Sequence, residues 1–215
     1  MAEIIITDEI IKQMVKSCEN CVERVSEITK NFVDQVIDMA EQTGYSPYEK
    51  FLGEFIEDLN DWIVKSAWWA YRFGVDEGNY ADHTSFTGIE KMKINGVTVI
   101  QGEAVGLWRS GVSQISDLIS GWKPCNNDVS SISGNYRSIR DDADTFKNLM
   151  NSFVNEVKET AETEASKVDE YTKENAVFVP VANLLRNFKD RFETNESRSN
   201  IISRFDSFVE EAMSI

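Results

Sequence analysis

The sequence is poor in the residues that most often carry chemistry or covalent cross-links. It has one histidine, His83, and three cysteines, Cys18, Cys21 and Cys125. Few cysteines in an odd number do not make a disulfide framework, which favours a reducing compartment. The sequence contains no phosphate-binding loop, no dinucleotide-binding glycine motif and no Glu-x-x-His motif of a di-iron centre. These absences predict a protein that is not an enzyme and holds no cofactor.

Long apolar runs are also lacking. The most apolar stretch, residues 62–73, is interrupted by Lys65 and Arg72, so no segment predicts a membrane span. The first seven residues lack the basic and apolar regions of a cleaved secretory signal. We therefore expect the protein to be cytoplasmic, or to be secreted without a cleaved signal peptide.

Positive charge is scarce relative to negative charge. The chain has 37 acidic and 22 basic residues, which gives a formal net charge of −15. Such a surface repels phosphate backbones and anionic lipids and attracts basic proteins, so nucleic acid is not an expected partner. The simplest interpretation is that the acids form solvated outer faces of helices. The same is expected of the neighbouring carboxylates Asp141, Asp142 and Asp144.

What the sequence has in abundance is apolar residues at a 3-4-3-4 spacing. This spacing occurs in four stretches: Ile11 to Met39, Tyr48 to Phe73, Val105 to Trp122, and Val129 to Val157. Residues three and four apart share one helix face, and a mean spacing of about 3.5 keeps that face against a neighbouring helix. The pattern predicts a mainly α fold, an elongated bundle of about five long helices.

The boundaries of these stretches predict the order of the elements within a single domain. The expected sub-regions are a helical hairpin over 7–74, a loop plus β-hairpin over 75–102, a helical hairpin over 103–175, and a C-terminal helix or helix pair over 178–213. Asn95-Gly96 predicts the tight turn of the small β-hairpin near residues 90–100, which we expect to cover the aromatic end of the second helix.

The fourth stretch predicts the longest helix, from Val129 to about Lys173. Strong helix breakers are absent over this range, and Gly134 is its single early glycine. The distal half, from Glu156 to Glu174, is acidic and has few large apolar residues. We therefore expect that half to project from the bundle or to be thinly covered.

The cysteines and the histidine suggest two chemical sites, each with a simpler alternative. Cys18, Cys21, Cys125 and His83 together would suit zinc, but Cys18 and Cys21 occupy helix-seam positions, where cysteine acts as a small hydrophobe. His83 follows Asp82 in a glycine-rich loop and could serve as a catalytic base, but a polar loop histidine is the simpler explanation and the one we favour. We therefore predict neither a metal site nor a catalytic residue.

The tryptophans suggest a surface for a protein partner. Trp68, Trp69 and Trp122 are large amphipathic side chains of the kind enriched at interface hot spots. Trp69 lies on the apolar seam of the second helix, which favours a core position for it, whereas Trp68 lies to the side of that seam.

A short turn at Trp122, between the third and fourth predicted helices, resembles the bend of the WXG family. These are small helical-hairpin proteins handled by type VII secretion systems in bacteria. The likeness covers residues 103–175; Pro124 stands where the family has glycine. Tyr171 would begin the family's Tyr-x-x-x-acid export signal, although the acid here is Glu174 and the fourth residue is Asn175. The resemblance implies a non-enzymatic protein that pairs through helical faces.

Two functions follow as hypotheses. The first is a protein–protein interaction module, a partner, adaptor or export chaperone linked to type VII-like secretion, or a self-associating protein. Its candidate partner-binding residues are Trp68, Trp69, Trp122 and Tyr171. The second is an acidic immunity-type inhibitor that covers the basic active site of a toxin. Their salt dependence would separate them, because charge-steered association slows as salt rises.

Overall fold

Helices make up most of the computed structural model, which describes residues 8–72, 91–94, 97–100, 102–133, 138–174 and 181–215. The helices are α1 (Asp8–Thr43), α2 (Tyr48–Tyr71), α3 (Gly102–Ser120), α4 (Asp142–Glu174), α5 (Val181–Thr194) and α6 (Ser197–Met213). The predicted mainly α fold is therefore confirmed. Among the described residues, no helix is both long and apolar enough to cross a membrane.

Helices α1 and α4 lie antiparallel along a shared apolar seam. The hydroxyl of Thr43, at the end of α1, donates a hydrogen bond to the carboxylate of Asp142, at the start of α4. Further along, the rings of Phe32 and Phe153 stack with their centroids 4.6 Å apart. Val25, Ile28 and Met39 on α1 are buried, as their spacing predicts. These contacts define both the direction and the register of α1 and α4.

The distal half of α4 does not project from the bundle, contrary to the prediction. Ala161, Ala165 and Val168 are buried, because helix α5 packs along this part of α4. Small side chains allow the two helices to approach closely. Charged residues of α4 form ion pairs with α5: Lys158 with Glu193, Glu162 with Arg186 and Lys189, and Asp169 with Arg186.

Helix α2 packs against α5 and α6 on the other side of the core. Trp62 is completely buried, and its ring stacks on Phe192 of α5 with centroids 4.2 Å apart. The indole Nε1 also donates a hydrogen bond to the Phe192 carbonyl at 3.0 Å. Outside the core, Arg204 of α6 forms ion pairs with Glu54 and Asp58 of α2.

The prediction of a helix from Val129 is wrong, because α4 begins at Asp142 and the described residues between 121 and 141 are not helical. The apolar side chains of Ile132 and Ile139 are buried nonetheless. Serine, which occupies positions 130, 131 and 133, disfavours a helix because its hydroxyl competes for backbone hydrogen bonds. The backbone N–H of Ile132, which lies between two of these serines, donates to the side chain of Glu49 on α2 instead of to a helix carbonyl.

Two side chains of α2 fix this connecting segment. The amide of Asn60 bonds both backbone groups of Cys125, accepting from its N–H at 3.0 Å and donating to its carbonyl at 2.8 Å. Nearer the start of α2, Glu49 Oε1 accepts the N–H of Ile132 at 2.7 Å. The segment therefore runs antiparallel to α2, from the level of Asn60 to that of Glu49.

Two short strands, β1 (Lys91–Ile94) and β2 (Val97–Ile100), pair antiparallel, with Lys91 opposite Ile100 and Ile94 opposite Val97. They lie against α3. The predicted Asn95-Gly96 turn lies outside the described residues, so the turn stays a prediction. The same is true of the predicted cover over the aromatic end of α2.

Candidate interaction site

Trp69 is on the surface, so the prediction of a core position for it is wrong. Its side chain is 39% exposed, and the guanidinium carbon of Arg191 lies 5.2 Å from the ring centroid. A straight helix rotates by about 20° per heptad relative to a 3.5-residue repeat. Over the length of α2 this rotation moves the buried face from Trp69 to Ala67 and Ala70, which are buried.

Trp68 is half-buried and meets the ring of Tyr71 edge to face, with centroids 5.6 Å apart. Together, Trp68 and Trp69 place aromatic surface at the end of α2. Whether either side chain contacts a partner stays a prediction.

Trp122 follows the last turn of α3 and is half-buried against α1 and α5. Its Nε1 donates to the hydroxyl of Ser26 at 2.8 Å, and that hydroxyl donates to the carbonyl of Val22 at 2.8 Å. The ring lies 6.3 Å from that of Phe188. The indole N–H thus has its hydrogen-bond partner within the protein, and the apolar part of the ring lines a surface pocket.

The pocket beside Trp122 is the candidate site with the clearest shape. Its volume is about 40 Å³, and helices α1, α2, α3 and α5 all contribute to it. The lining consists of apolar side chains and two thiols: Cys18, Cys21, Val22, Ala67, Ile115, Leu118, Ile119, Trp122, Leu184, Leu185 and Phe188. Val22, Leu118 and Trp122 in the lining are half-buried, so the pocket is partly open to the surface. Apolar cavities of this kind are poor sites for water and good sites for apolar groups.

The two thiols in the lining are chemically quiet. Cys18 and Cys21 are buried, as their seam positions predict. Burial is the main cause that raises the pKa of both thiols, to about 12 for Cys21, and the Glu164 carboxylate adds to the rise. Because the thiolate is the nucleophile and the metal ligand, both side chains act here as small hydrophobes.

The residues considered for zinc are not brought together in the part of the chain that the structure describes. Cys125 is held against Asn60 of α2, whereas Cys18 and Cys21 are on α1. Within the described ranges, no three His, Cys, Asp or Glu side chains are arranged to hold a metal ion. His83 lies outside those ranges, so its predicted role as a loop histidine stays a prediction.

Tyr171 is in the last turn of α4, far along the chain from the aromatic residues of α2. It is half-buried and packs against the core cluster. Its predicted role in partner binding is therefore separate from the pocket at Trp122. Of the four candidate residues, Trp122 is the one that lines this pocket.

Sequence reasoning missed two buried carboxylates. Asp142 was expected to be solvated, but it is buried and accepts hydrogen bonds from the hydroxyls of Thr43 at 2.7 Å and Tyr48 at 2.6 Å. Glu164 of α4 is buried as well. One sequence signal pointed to a structural role for Asp142, because a negative charge at the start of a helix interacts favourably with the helix dipole. Its hydroxyl partners, however, are distant in sequence.

No protein-family model, curated protein or solved structure matches this chain. The resemblance of residues 103–175 to WXG proteins therefore stays a prediction.

Proposed function

We propose that this protein is a non-enzymatic interaction module that accepts an apolar side chain of a partner's amphipathic helix in the pocket beside Trp122. The pocket itself carries the proposal. It is apolar, it reaches the surface, and its thiols are held in the unreactive form. A cavity of about 40 Å³ suits the tip of one side chain better than a substrate.

The surroundings of the pocket support a helical partner. Leu118 lies in the last turn of α3, and Trp122 comes shortly after the helix ends. Together they present an apolar edge of the kind that contacts a second helix. A partner, adaptor or export chaperone for a type VII-like secreted protein would use such a surface.

The test is a comparison of two matched leucine variants. Leu118 lines the pocket, and Leu149 of α4 is half-buried elsewhere on the protein. Tagged wild type, Leu118→Gln and Leu149→Gln are used for affinity capture from the native cell, and the mass of each complex is measured by size exclusion with light scattering. We expect one defined complex with the wild type and with Leu149→Gln, and loss of that complex with Leu118→Gln.

If both variants capture the complex equally and circular dichroism shows that both are folded, the pocket beside Trp122 does not bind the partner. A complex of twice the chain mass from purified protein alone would show that the occupant is a second copy.

A second candidate, an acidic inhibitor of a toxin, is favoured by the charge. Three carboxylates, Glu156, Glu159 and Glu164, line one groove on the surface of α4. An inhibitor of this kind would bind a catalytic domain, and its association rate would fall steeply as salt rises. The apolar pocket instead predicts a complex whose association rate depends weakly on salt, so stopped-flow measurements at two salt concentrations separate the two functions.

A further inference from the structure

Most of the wall of the pocket beside Trp122 belongs to the core of the protein. All of its lining residues are buried except Val22, Leu118 and Trp122, which are half-buried. Buried side chains of a close-packed core keep their rotamers and yield little to a larger group. A change in the size of the pocket therefore depends mainly on the three half-buried residues.

Trp122 is the largest of these three side chains, and a hydrogen bond holds its ring in place. The indole Nε1 donates to the hydroxyl of Ser26 at 2.8 Å, and this hydroxyl donates in turn to the carbonyl of Val22 at 2.8 Å. The indole is thus linked to the backbone of α1 beside the pocket. If the ring rotated away, its N–H would lose this acceptor, which costs free energy at a part-buried position.

The volume of the pocket limits which side chains can enter while the indole stays in this position. The pocket holds about 40 Å³. An apolar cavity of about 150 Å³ accepts a benzene ring, so a pocket of about a quarter of that volume is too small for a phenyl group. Leucine ends in an isopropyl group and methionine in an unbranched thioether, and both ends are smaller than a ring.

We propose that Ser26 is a positioning residue that sets the partner specificity of this pocket. Because it fixes the indole of Trp122, the pocket keeps a size that accepts a leucine or methionine side chain of the partner and rejects an aromatic one. This inference rests on the proposed function, since it names the class of side chain that enters the same pocket.

The test uses purified full-length protein and two small probes that match the ends of the competing side chains. Dimethyl sulfide corresponds to the end of methionine, and benzene corresponds to the ring of phenylalanine. Methyl NMR signals of Ile115, Leu184 and Leu185, which line the pocket, report the binding of each probe. We expect the wild type to bind dimethyl sulfide more tightly than benzene. A wild type that binds benzene at least as tightly, or that binds neither probe, overturns the proposal.

Variants of Ser26 separate positioning from a general structural role. Ser26→Ala removes the acceptor of the indole N–H, so benzene should bind roughly two- to tenfold more tightly, the range that corresponds to one hydrogen bond. Ser26→Thr keeps the hydroxyl and should keep the wild-type preference. The indole N–H signal of Trp122 should shift in Ser26→Ala and stay near its wild-type position in Ser26→Thr. Unchanged benzene binding in Ser26→Ala would contradict the positioning role.

Ser66→Ala is the control. The hydroxyl of Ser66 also donates to the carbonyl four residues before it, that of Trp62, at 2.7 Å. In the described structure Ser66 neither lines the pocket nor bonds the indole of Trp122. The variant should therefore keep the wild-type preference. An equal gain of benzene binding in Ser66→Ala and Ser26→Ala would show that general loosening of the core is the cause, and it would contradict the proposal.

The probes bind without a partner, so this experiment and the capture experiment can fail separately. Selective binding of dimethyl sulfide without any captured complex would support the size limit of the pocket and contradict the proposed function. A captured complex together with tight benzene binding to the wild type would support the proposed function and overturn the role of Ser26.

Discussion

Asp142 joins three helix ends through one carboxylate oxygen. Its Oδ2 accepts hydrogen bonds from Thr43 at the end of α1 and from Tyr48 at the start of α2, while Asp142 itself begins α4. All three residues are buried. Removal of the acceptor leaves two buried hydroxyl groups without a partner. A buried donor left unpaired costs more free energy than the loss of both partners of a hydrogen bond.

We therefore expect Asp142→Ala to lower the free energy of unfolding by about 2–4 kcal/mol in urea titrations. Asp142→Asn keeps an oxygen acceptor and should lose less. Asp144→Ala is the control, because Asp144 is in the same first turn of α4 but exposed. If Asp144→Ala is as destabilising as Asp142→Ala, the hydrogen bonds are not the cause.

The buried thiols make stability depend on alkaline pH. Burial raises the pKa of Cys18 and Cys21 in the folded state from the ordinary value of 9.0, to about 12 for Cys21. Above pH 9 the unfolded chain releases these protons and the folded chain retains them, so stability is lost as pH rises from about 9 towards 12. Each thiol contributes a slope of up to about 1.4 kcal/mol per pH unit.

Urea unfolding at pH 8 and pH 10.5 measures this effect. We expect the wild type to lose more stability between the two pH values than the Cys18→Ala/Cys21→Ala variant does. The other titrating groups are common to both proteins and cancel in the comparison. Parallel losses in the two proteins would mean that the thiols are accessible to ionisation in the folded state.

At the scale of elements, two glycines of α3 have opposite surroundings. A Cβ atom at Gly111 would be 2.9 Å from Cγ2 of Ile11 on α1, whereas a Cβ atom at Gly106 would meet no atom of the described residues within 4 Å. Gly111 therefore permits close packing of α3 on α1. Gly106 has no such packing role and only weakens the helix.

We expect Gly106→Ala to raise the free energy of unfolding by up to about 1 kcal/mol, the difference in helix propensity. Gly111→Ala gains the same propensity but forces Ile11 to move, at a cost of about 1–3 kcal/mol. Its net effect should be neutral to destabilising. Thermal unfolding of the two variants measures this difference in stability. A stabilised Gly111→Ala protein would contradict the close approach of α3 to α1.

The apolar spacing predicts α1, α2 and α3, since each apolar stretch begins and ends within about four residues of the observed helix. After α1, Gly44 adopts a φ of 69°, a conformation that ends the helix. The same spacing fails from Val129 to Ile139. There the alternation reflects burial of an irregular segment whose backbone is held by Glu49 and Asn60, and no local pattern reveals such distant partners.

At the scale of the whole molecule, sequence reasoning identifies a residue of the candidate site but not the site. Trp122 is a reasonable interface residue from its size and position alone. The pocket beside it is assembled from four helices, and Cys18, Ala67 and Leu184 reach it only through their packing. The acidic groove likewise depends on how α1 lies against α4, which places Arg24 and Ile28 beside the acids of α4.

The distribution of charge also emerges at this scale. Some of the acidic residues form ion pairs within the protein: Glu162 and Asp169 of α4 both pair with Arg186 of α5. Exposed pairs of this kind contribute little stability individually, but they allow α5 to cover an acidic helix. The expectation that the acids are solvated outer faces therefore holds for only part of α4.

The central claim is that the pocket beside Trp122 anchors a protein partner. The most direct measurement is the dissociation constant of the captured partner for wild type, Leu118→Gln and Leu149→Gln. We predict a loss of about tenfold or more for Leu118→Gln, as for a central interface residue, and less than about twofold for Leu149→Gln. Equal dissociation constants for all three folded proteins would contradict the claim.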